Sequence, residues 1–252
     1  MQHARTIVAL VLREMATRYG KSPGGYLWAL LEPLGGIIIL SLAFSLLVRN
    51  PSLGNSFLLF YATGYLPFQM FQSVTQLSQS SLNYSRALLQ YPNVSWIDAV
   101  TARVVLAILT GALVSLIILT AIIEYADQNS TLRYGYIFQA FASAALLGLG
   151  IGMVNSVVIG LLPVWRSIWG IMMRPLLLAS GVLYIYEDLP RAAQDLIWYN
   201  PLLHSTALAR AGFFQTYTPQ HVSLVYIYGI SAILIAAGLM LLRRFYLTIL
   251  EK

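Results

Sequence analysis

Apolar stretches separated by short polar breaks fill the chain from residue 28 onward. Six of them, at 28–48, 57–79, 104–123, 138–162, 171–186 and 222–242, are expected to cross a bilayer, which takes about 20 largely apolar residues per helix. None alternates apolar and polar with period two, so they are helices and not strands of a barrel. Ahead of them Ala4, Ile7, Val8, Val11, Met15 and Tyr19 share one helical face, with Arg5, Thr6, Arg13 and Thr17 opposite. That pattern predicts an interfacial helix within 1–27 that lies along the membrane surface. The segment 187–221 is too long for a tight turn and too apolar for a free linker. It breaks at Asn200-Pro201, because a residue before proline avoids the helical region. Two half-helices entering the membrane from outside are expected there, with a hairpin lying flat on the outer surface as the alternative.

The expected fold is an all-α polytopic membrane protein with six transmembrane helices, forming a single domain over 1–252. Its parts are the interfacial helix (1–27), spans one to five (28–186), the external re-entrant segment (187–221), span six (222–242) and a tail (243–252). Composition agrees: 58% of residues are hydrophobic and 10% charged, against about 25% charged in soluble domains.

Charge orients the chain. Arg5, Arg13, Arg18, Lys21, Arg86, Arg103, Arg166, Arg174, Arg243, Arg244 and Lys252 fall on one side of the six spans, whereas Arg49, Arg133, Arg191 and Arg210 fall on the other. The positive-inside rule makes both termini cytoplasmic. The net charge of +6 is therefore a topology signal, and no nucleic-acid partner is expected. The chain has no cysteine, which excludes disulfides and thiolate metal sites.

Within the second span Tyr65, Gln69, Gln72, Gln76, Gln79 and Asn83 recur at steps of four and three, with Ser73 and Ser80 beside them. Amides are costly in lipid, so this face turns inward. It either lines a path for hydroxyl-rich cargo or ties helices together. In the first span Tyr26 and Trp28 suit an aromatic belt, and Glu32 precedes Pro33 close to the membrane border, where an acid needs a partner or water. Arg174 before Pro175 can snorkel to the surface. Gly148 and Gly152 predict close helix packing. The histidines His3, His204 and His221 are scattered, and the acids Glu187, Asp188 and Asp195 have no matching basic or metal-ligand cluster. No catalytic constellation emerges, which leaves an intramembrane enzyme as a minor alternative. Gly20-Lys21-Ser22 looks like the end of a P-loop, but Met15 stands where its first glycine would be and no strand precedes it.

Four blocks, "REMATRYGKSPGGYLWALLEP" (13–33), "GYLPFQMFQS" (64–73), "YPNVSWIDAVTAR" (91–103) and "NPLLH" (200–204), resemble in order and spacing the membrane subunit of ABC-2-type polysaccharide exporters, with most likeness to the capsular polysaccharide export permease of Gram-negative bacteria. One departure is Trp96 before Ile97-Asp98, where the family pattern has a proline. The resemblance implies a non-catalytic permease of the inner membrane that works as two copies with two ATP-binding-cassette subunits. No cofactor is then expected on this chain, and ATP and Mg belong to the partners. The implied cargo is a lipid-linked polysaccharide, and periplasmic and outer-membrane capsule export proteins join the implied partners. An exporter of O-antigen, teichoic acid, lipid or drug is the alternative within the family. By residue, the resemblance and the polar pattern together assign Trp28, Glu32, Tyr65, Gln69, Gln72 and Gln76 to the substrate path. They assign Arg86, Leu89, Tyr91, Pro92, Trp165 and Arg166 to ATPase coupling, in a coupling helix over 84–95 and a short loop over 163–167. The external gate falls to Asn200, Pro201 and His204.

Overall fold

The computed structural model describes residues 2–19, 24–86, 95–125 and 131–251. Among them every regular element is helical: α1 (Gln2–Tyr19), α2 (Gly25–Ser45), α3 (Phe57–Gln79), α4 (Ser81–Tyr84), α5 (Trp96–Tyr125), α6 (Tyr134–Leu161), α7 (Trp165–Ala179), a 3-10 turn (Tyr186–Asp188), α8 (Arg191–Ile197), α9 (Pro201–Phe213) and α10 (Leu224–Glu251). Within these residues four helical stretches, Leu27–Ser45, Trp96–Tyr125, Tyr134–Leu161 and Leu224–Glu251, are long and apolar enough to cross a membrane. α3 has the length but carries the amide face, and α7 is 15 residues long.

Local chemistry explains several boundaries. The Ser56 hydroxyl accepts from the Leu59 N–H at 3.3 Å and starts α3. Ser95 and Asp98 form a reciprocal cap, in which the Ser95 N–H donates to Asp98 Oδ2 at 3.1 Å and the Asp98 N–H donates to Ser95 Oγ at 3.2 Å. This S-x-x-D box starts α5 at Trp96 without the family's proline. Asn200 caps α9 by accepting from the Leu202 N–H at 3.1 Å, with Pro201 at the first helical position.

α6 runs through the middle and is flanked by α3 and α10. Small residues make that approach possible. A Cβ on Gly148 would lie 2.7 Å from Phe71 O, and one on Gly152 would lie 2.5 Å from Ser78 Cβ, both on α3. On the opposite side a Cβ on Gly150 would lie 2.7 Å from Leu234 Cβ, and one on Gly238 of α10 would lie 2.6 Å from Met153 Cβ. The close packing expected of Gly148 and Gly152 is therefore between α6 and α3. α1 docks on α5, where Arg103 Nε lies 3.2 Å from Glu14 Oε1 with both side chains nearly covered. Of the apolar face of α1, Ile7, Val11 and Met15 are half-buried and Val8 is exposed, while Glu14, outside that pattern, is buried. At the same end Trp96 meets Tyr246 of α10 at 6.2 Å between ring centroids, so both chain ends lie at the Gln79 end of α3.

The fifth apolar stretch is shifted relative to its expected bounds of 171–186. The helix begins at Trp165 and stops at Ala179, Gly181 takes a positive φ of 68°, and residues 182–185 leave the helix. The stop combines Gly181 in the left-handed region with distant donors: Asn200 Nδ2 donates to Ala179 O at 3.0 Å and Thr206 Oγ1 to Ser180 O at 2.7 Å, and Arg210 holds the segment beyond. Arg210 of α9 donates from Nη2 to Val182 O at 2.9 Å and from Nη1 to Tyr184 O. These carbonyls are thereby removed from helical pairing. The expected loop over 163–167 correspondingly shortens, because Trp165, Arg166 and Ser167 form the first turn of α7.

Candidate functional site

The amides of α3 do not open into one space. Tyr65, half-buried, packs on α2 where Gly36 lets its ring approach; a Cβ there would lie 3.0 Å from the Tyr65 hydroxyl. One step on, Gln69 and Ser73 border a small cavity of about 70 Å³ between α2, α3 and α5, whose other polar walls are Glu32, Thr110 and Ser115. Trp28 is 64% exposed one turn before Glu32 and does not line this cavity. Gln72, Gln76, Gln79 and Ser80 turn the other way. They line a cleft of about 470 Å³ between α3, the end of α6 and α7, together with Ile159, Arg166, Trp169, Gly170 and Met173. This cleft exists because α7 buries none of its residues fully and stands away from α3.

The stripe divides between a helix-tying part and a part that borders open space. Gln79 Oε1 accepts from Asn155 Nδ2 at 3.4 Å, and Asn155 Oδ1 in turn accepts from Trp165 Nε1 at 2.9 Å. That chain ties α3, α6 and α7 together. Gln72 and Gln76 instead border the open space. Trp165, half-buried, is thus tied to α6, whereas Arg166, from the same expected coupling group, is exposed and faces the cleft. Arg86 is exposed just beyond α4. Leu89, Tyr91 and Pro92 lie outside the described residues, as does most of the expected coupling helix.

At the opposite end Asn200, Pro201 and His204 come together. Asn200 Nδ2 donates to Ala179 O at 3.0 Å and so pins the start of α9 to the end of α7. His204 Nδ1 accepts from the Ser223 N–H at 3.3 Å, which leaves Nε2 to donate to Trp198 O at 2.8 Å. The ring is a neutral fastener between the α8–α9 corner and the start of α10. α9 is buried from Leu202 to Phe213, while α8 buries nothing.

Two sequence readings are corrected here. His204 and His221 are not scattered, since their rings lie 5.9 Å apart. Glu187 is not unmatched: Oε1 lies 3.2 Å from His221 Nδ1, and Oε2 accepts from the Tyr217 hydroxyl at 3.0 Å. Burial alone would push the Glu187 carboxyl up, but the contacts from His221, its own backbone and Tyr217 outweigh it and hold the carboxyl below its ordinary value. Sequence reasoning also missed Trp169, Gly170 and Met173, which look like ordinary residues of an apolar span. Their spacing along α7 opposite the α3 amides was the available signal. Among the described residues no cluster of three or more His, Asp or Glu could hold a metal.

The profile of the ABC-2 type transporter family matches residues 5–214. The polysialic acid transport protein KpsM of Escherichia coli is 28% identical over 238 residues, 94% of this chain and 92% of its own length. The capsule polysaccharide export inner-membrane protein CtrC of Neisseria meningitidis serogroup B is 26% identical over 241 residues, 96% of this chain and 91% of its own. BexB of Haemophilus influenzae, also named a capsule polysaccharide export inner-membrane protein, is 26% identical with the same coverage of each chain.

Proposed function

The chain belongs to the ABC-2 type transporter family, and from that membership we propose that it is the permease subunit of an ATP-driven exporter moving lipid-linked capsular polysaccharide across the inner membrane. The observation that carries this reading is the amide face of α3, set against open spaces within an otherwise apolar helical chain. Glycan hydroxyls cannot be surrendered to hydrocarbon without replacement partners. Gln69, Gln72 and Gln76 supply donors and acceptors where the helix would otherwise offer methyl groups, with Glu32 on the wall of the smaller space, while Tyr65 packs on α2 and Trp28 is exposed outside it. The transport of polysialic acid and the export of capsule polysaccharide named for relatives that align with more than nine-tenths of the chain support this cargo.

In this reading the chain crosses six times with both termini in the cytoplasm, α3 and α7 adding to the four apolar helices. α3 is about 35 Å long, enough for the hydrocarbon core. The buried α9 enters from outside as a half-helix, and Asn200, Pro201 and His204 shape the outer gate. Two copies assemble with two ATPase subunits, which hold ATP and Mg and dock where Arg86, Leu89, Tyr91, Pro92, Trp165 and Arg166 lie. This chain is non-catalytic.

The test uses the assembled complex in proteoliposomes. Gln72→Leu and Gln76→Leu remove the amides with little change in volume, and polysaccharide exported per ATP hydrolysed should fall several-fold while the dimer stays intact. Unaltered export per ATP, with loss of stability in detergent, would show that the stripe only packs helices. Cysteines at Leu89 and Trp165 should crosslink to the ATPase subunit, and failure of both in an active complex removes the docking assignment.

A further inference from the structure

We infer that the pocket between the starts of α6 and α10 and the end of α9 holds the headgroup of an anionic bilayer phospholipid, with the phosphate on Arg133 and the headgroup hydroxyls on Gln139 and Gln220. Such a resident lipid fastens the segment that joins α9 to α10, whatever cargo the chain exports.

The pocket is built at a border. Arg133, Tyr136 and Gln139 line it from α6, Leu208 from α9, and Gln220 and Leu224 from the connection into α10, around a volume of about 400 Å³. Arg133 immediately precedes α6 and Leu224 is the first residue of α10, so the space lies where two long apolar helices begin. Tyr136 is 42% exposed and Leu224 38% exposed, which places the mouth on the flank of the chain. α6 stands between this flank and the amide face of α3. In a bilayer the start of an apolar helix lies at headgroup level, so lipid phosphates are the anions present at the mouth.

Arg133 is positioned in advance. Its backbone N–H donates to Gly212 O at 2.9 Å, and its Nη2 donates to Gln215 O at 3.1 Å, while Gln215 Nε2 donates to Thr131 O at 3.2 Å. Among the described residues no other hydrogen bond or ion pair engages this guanidinium. Its remaining N–H groups can grip a phosphate through two parallel hydrogen bonds.

The walls also select the kind of headgroup. No carboxylate borders the pocket, and the stretches 131–139 and 208–224 contain no acid. Glu187 approaches only through Tyr217, whose hydroxyl it accepts, and it is also engaged by His221. The ammonium of a zwitterionic headgroup would therefore find no counter-charge and would meet the like charge of Arg133. A glycerol headgroup instead brings hydroxyls, which both donate and accept as the amides of Gln139 and Gln220 do. Phosphatidylglycerol satisfies both conditions.

The test places the full chain in phosphatidylcholine nanodiscs and titrates in phosphatidylglycerol while deuterium uptake is read across residues 214–223. Phosphatidylglycerol should slow that uptake several-fold, and phosphatidylethanolamine in its place should not. Arg133→Gln should raise the phosphatidylglycerol fraction needed about tenfold. Gln139→Leu leaves the Arg133–Gln215 bond in place, so it should weaken the lipid effect while uptake in pure phosphatidylcholine stays as in the unaltered chain. Uptake indifferent to phosphatidylglycerol, or slowed equally in the unaltered chain and both variants, overturns the site. Equal slowing by phosphatidylethanolamine overturns the anionic headgroup. Slowing by inorganic phosphate or glycerophosphoglycerol, in phosphatidylcholine alone and to the same extent, assigns the pocket to a soluble phosphate and overturns the lipid. Each of these outcomes leaves the export reading untouched, since export per ATP is measured separately.

Discussion

Arg210 is 2% exposed, and its guanidinium is met by two carbonyls and by the ring of Phe60 at 4.2 Å from its centroid. Hydrogen bonds to a charged group contribute about 1.5–3 kcal/mol each. Arg210→Met should therefore lower the unfolding temperature and free residues 182–185, so that a cysteine at Val182 becomes reactive. Arg210→Lys should not restore the segment, because one ammonium cannot reproduce the fork. Gly152→Ala should cost about 1–3 kcal/mol through overpacking against Ser78, whereas Gly135→Ala, which meets nothing within 4 Å, should not destabilise. Glu187 gives a pH dependence with a definite sign. Its carboxyl is held below the ordinary value, so its contribution is complete at neutral pH and is lost as pH falls through the depressed folded-state value. The segment around Tyr217 and His221 should loosen only in acid below the usual carboxylate range. A cysteine at Thr218 should react faster there, and Glu187→Gln should abolish the change.

Among the elements, α3 coincides at both bounds with its apolar stretch, because its cap at Ser56 and its break at Ser80 are local features. α7 does not: Gly181 was the local stop signal within 171–186, while nothing there announces that Asn200, Thr206 and Arg210, far along the chain, will take the carbonyls of residues 179, 180, 182 and 184. The pair Glu14–Arg103 escaped for a related reason. A helical acid beside Arg13 looks solvated, and only the docking of α1 on α5 covers it. Arg103 also donates to Ser80 O at 3.0 Å and lies 4.3 Å from the Tyr84 ring centroid, joining α1, α5 and the end of α3. Removing one partner of a buried pair costs about 3–5 kcal/mol. Glu14→Ala and Arg103→Ala should each release α1, read as faster hydrogen exchange along Gln2–Tyr19. The double exchange Glu14→Arg with Arg103→Glu should restore only part of the protection, because a glutamate at 103 cannot donate to Ser80 O.

At the scale of the whole molecule, the all-helical class, four of the apolar spans and the break at Asn200-Pro201 were legible because bilayer chemistry writes them into runs of residues. The division of the α3 amides between two spaces was not, because it depends on how far α7 stands off from α3. With both chain ends at the Gln79 end of α3, reporters fused before residue 2 and after residue 251 should sit in the same compartment; signals from opposite compartments would overturn the even number of crossings, and both outside would invert the proposed topology. The position of α6 between α3 and α10 also bears on how the chain is made. α3 leaves the ribosome well before α6, and at about 5–20 residues per second the delay is on the order of ten seconds. Throughout that interval Gln72, Gln76 and Gln79, and the surface that will meet Gly148 and Gly152, lack the α6 and α7 neighbours they have in the finished chain. A nascent chain halted after α5 should therefore be retained beside the insertion machinery or degraded, and one halted after α6 should partition into lipid as a stable fragment.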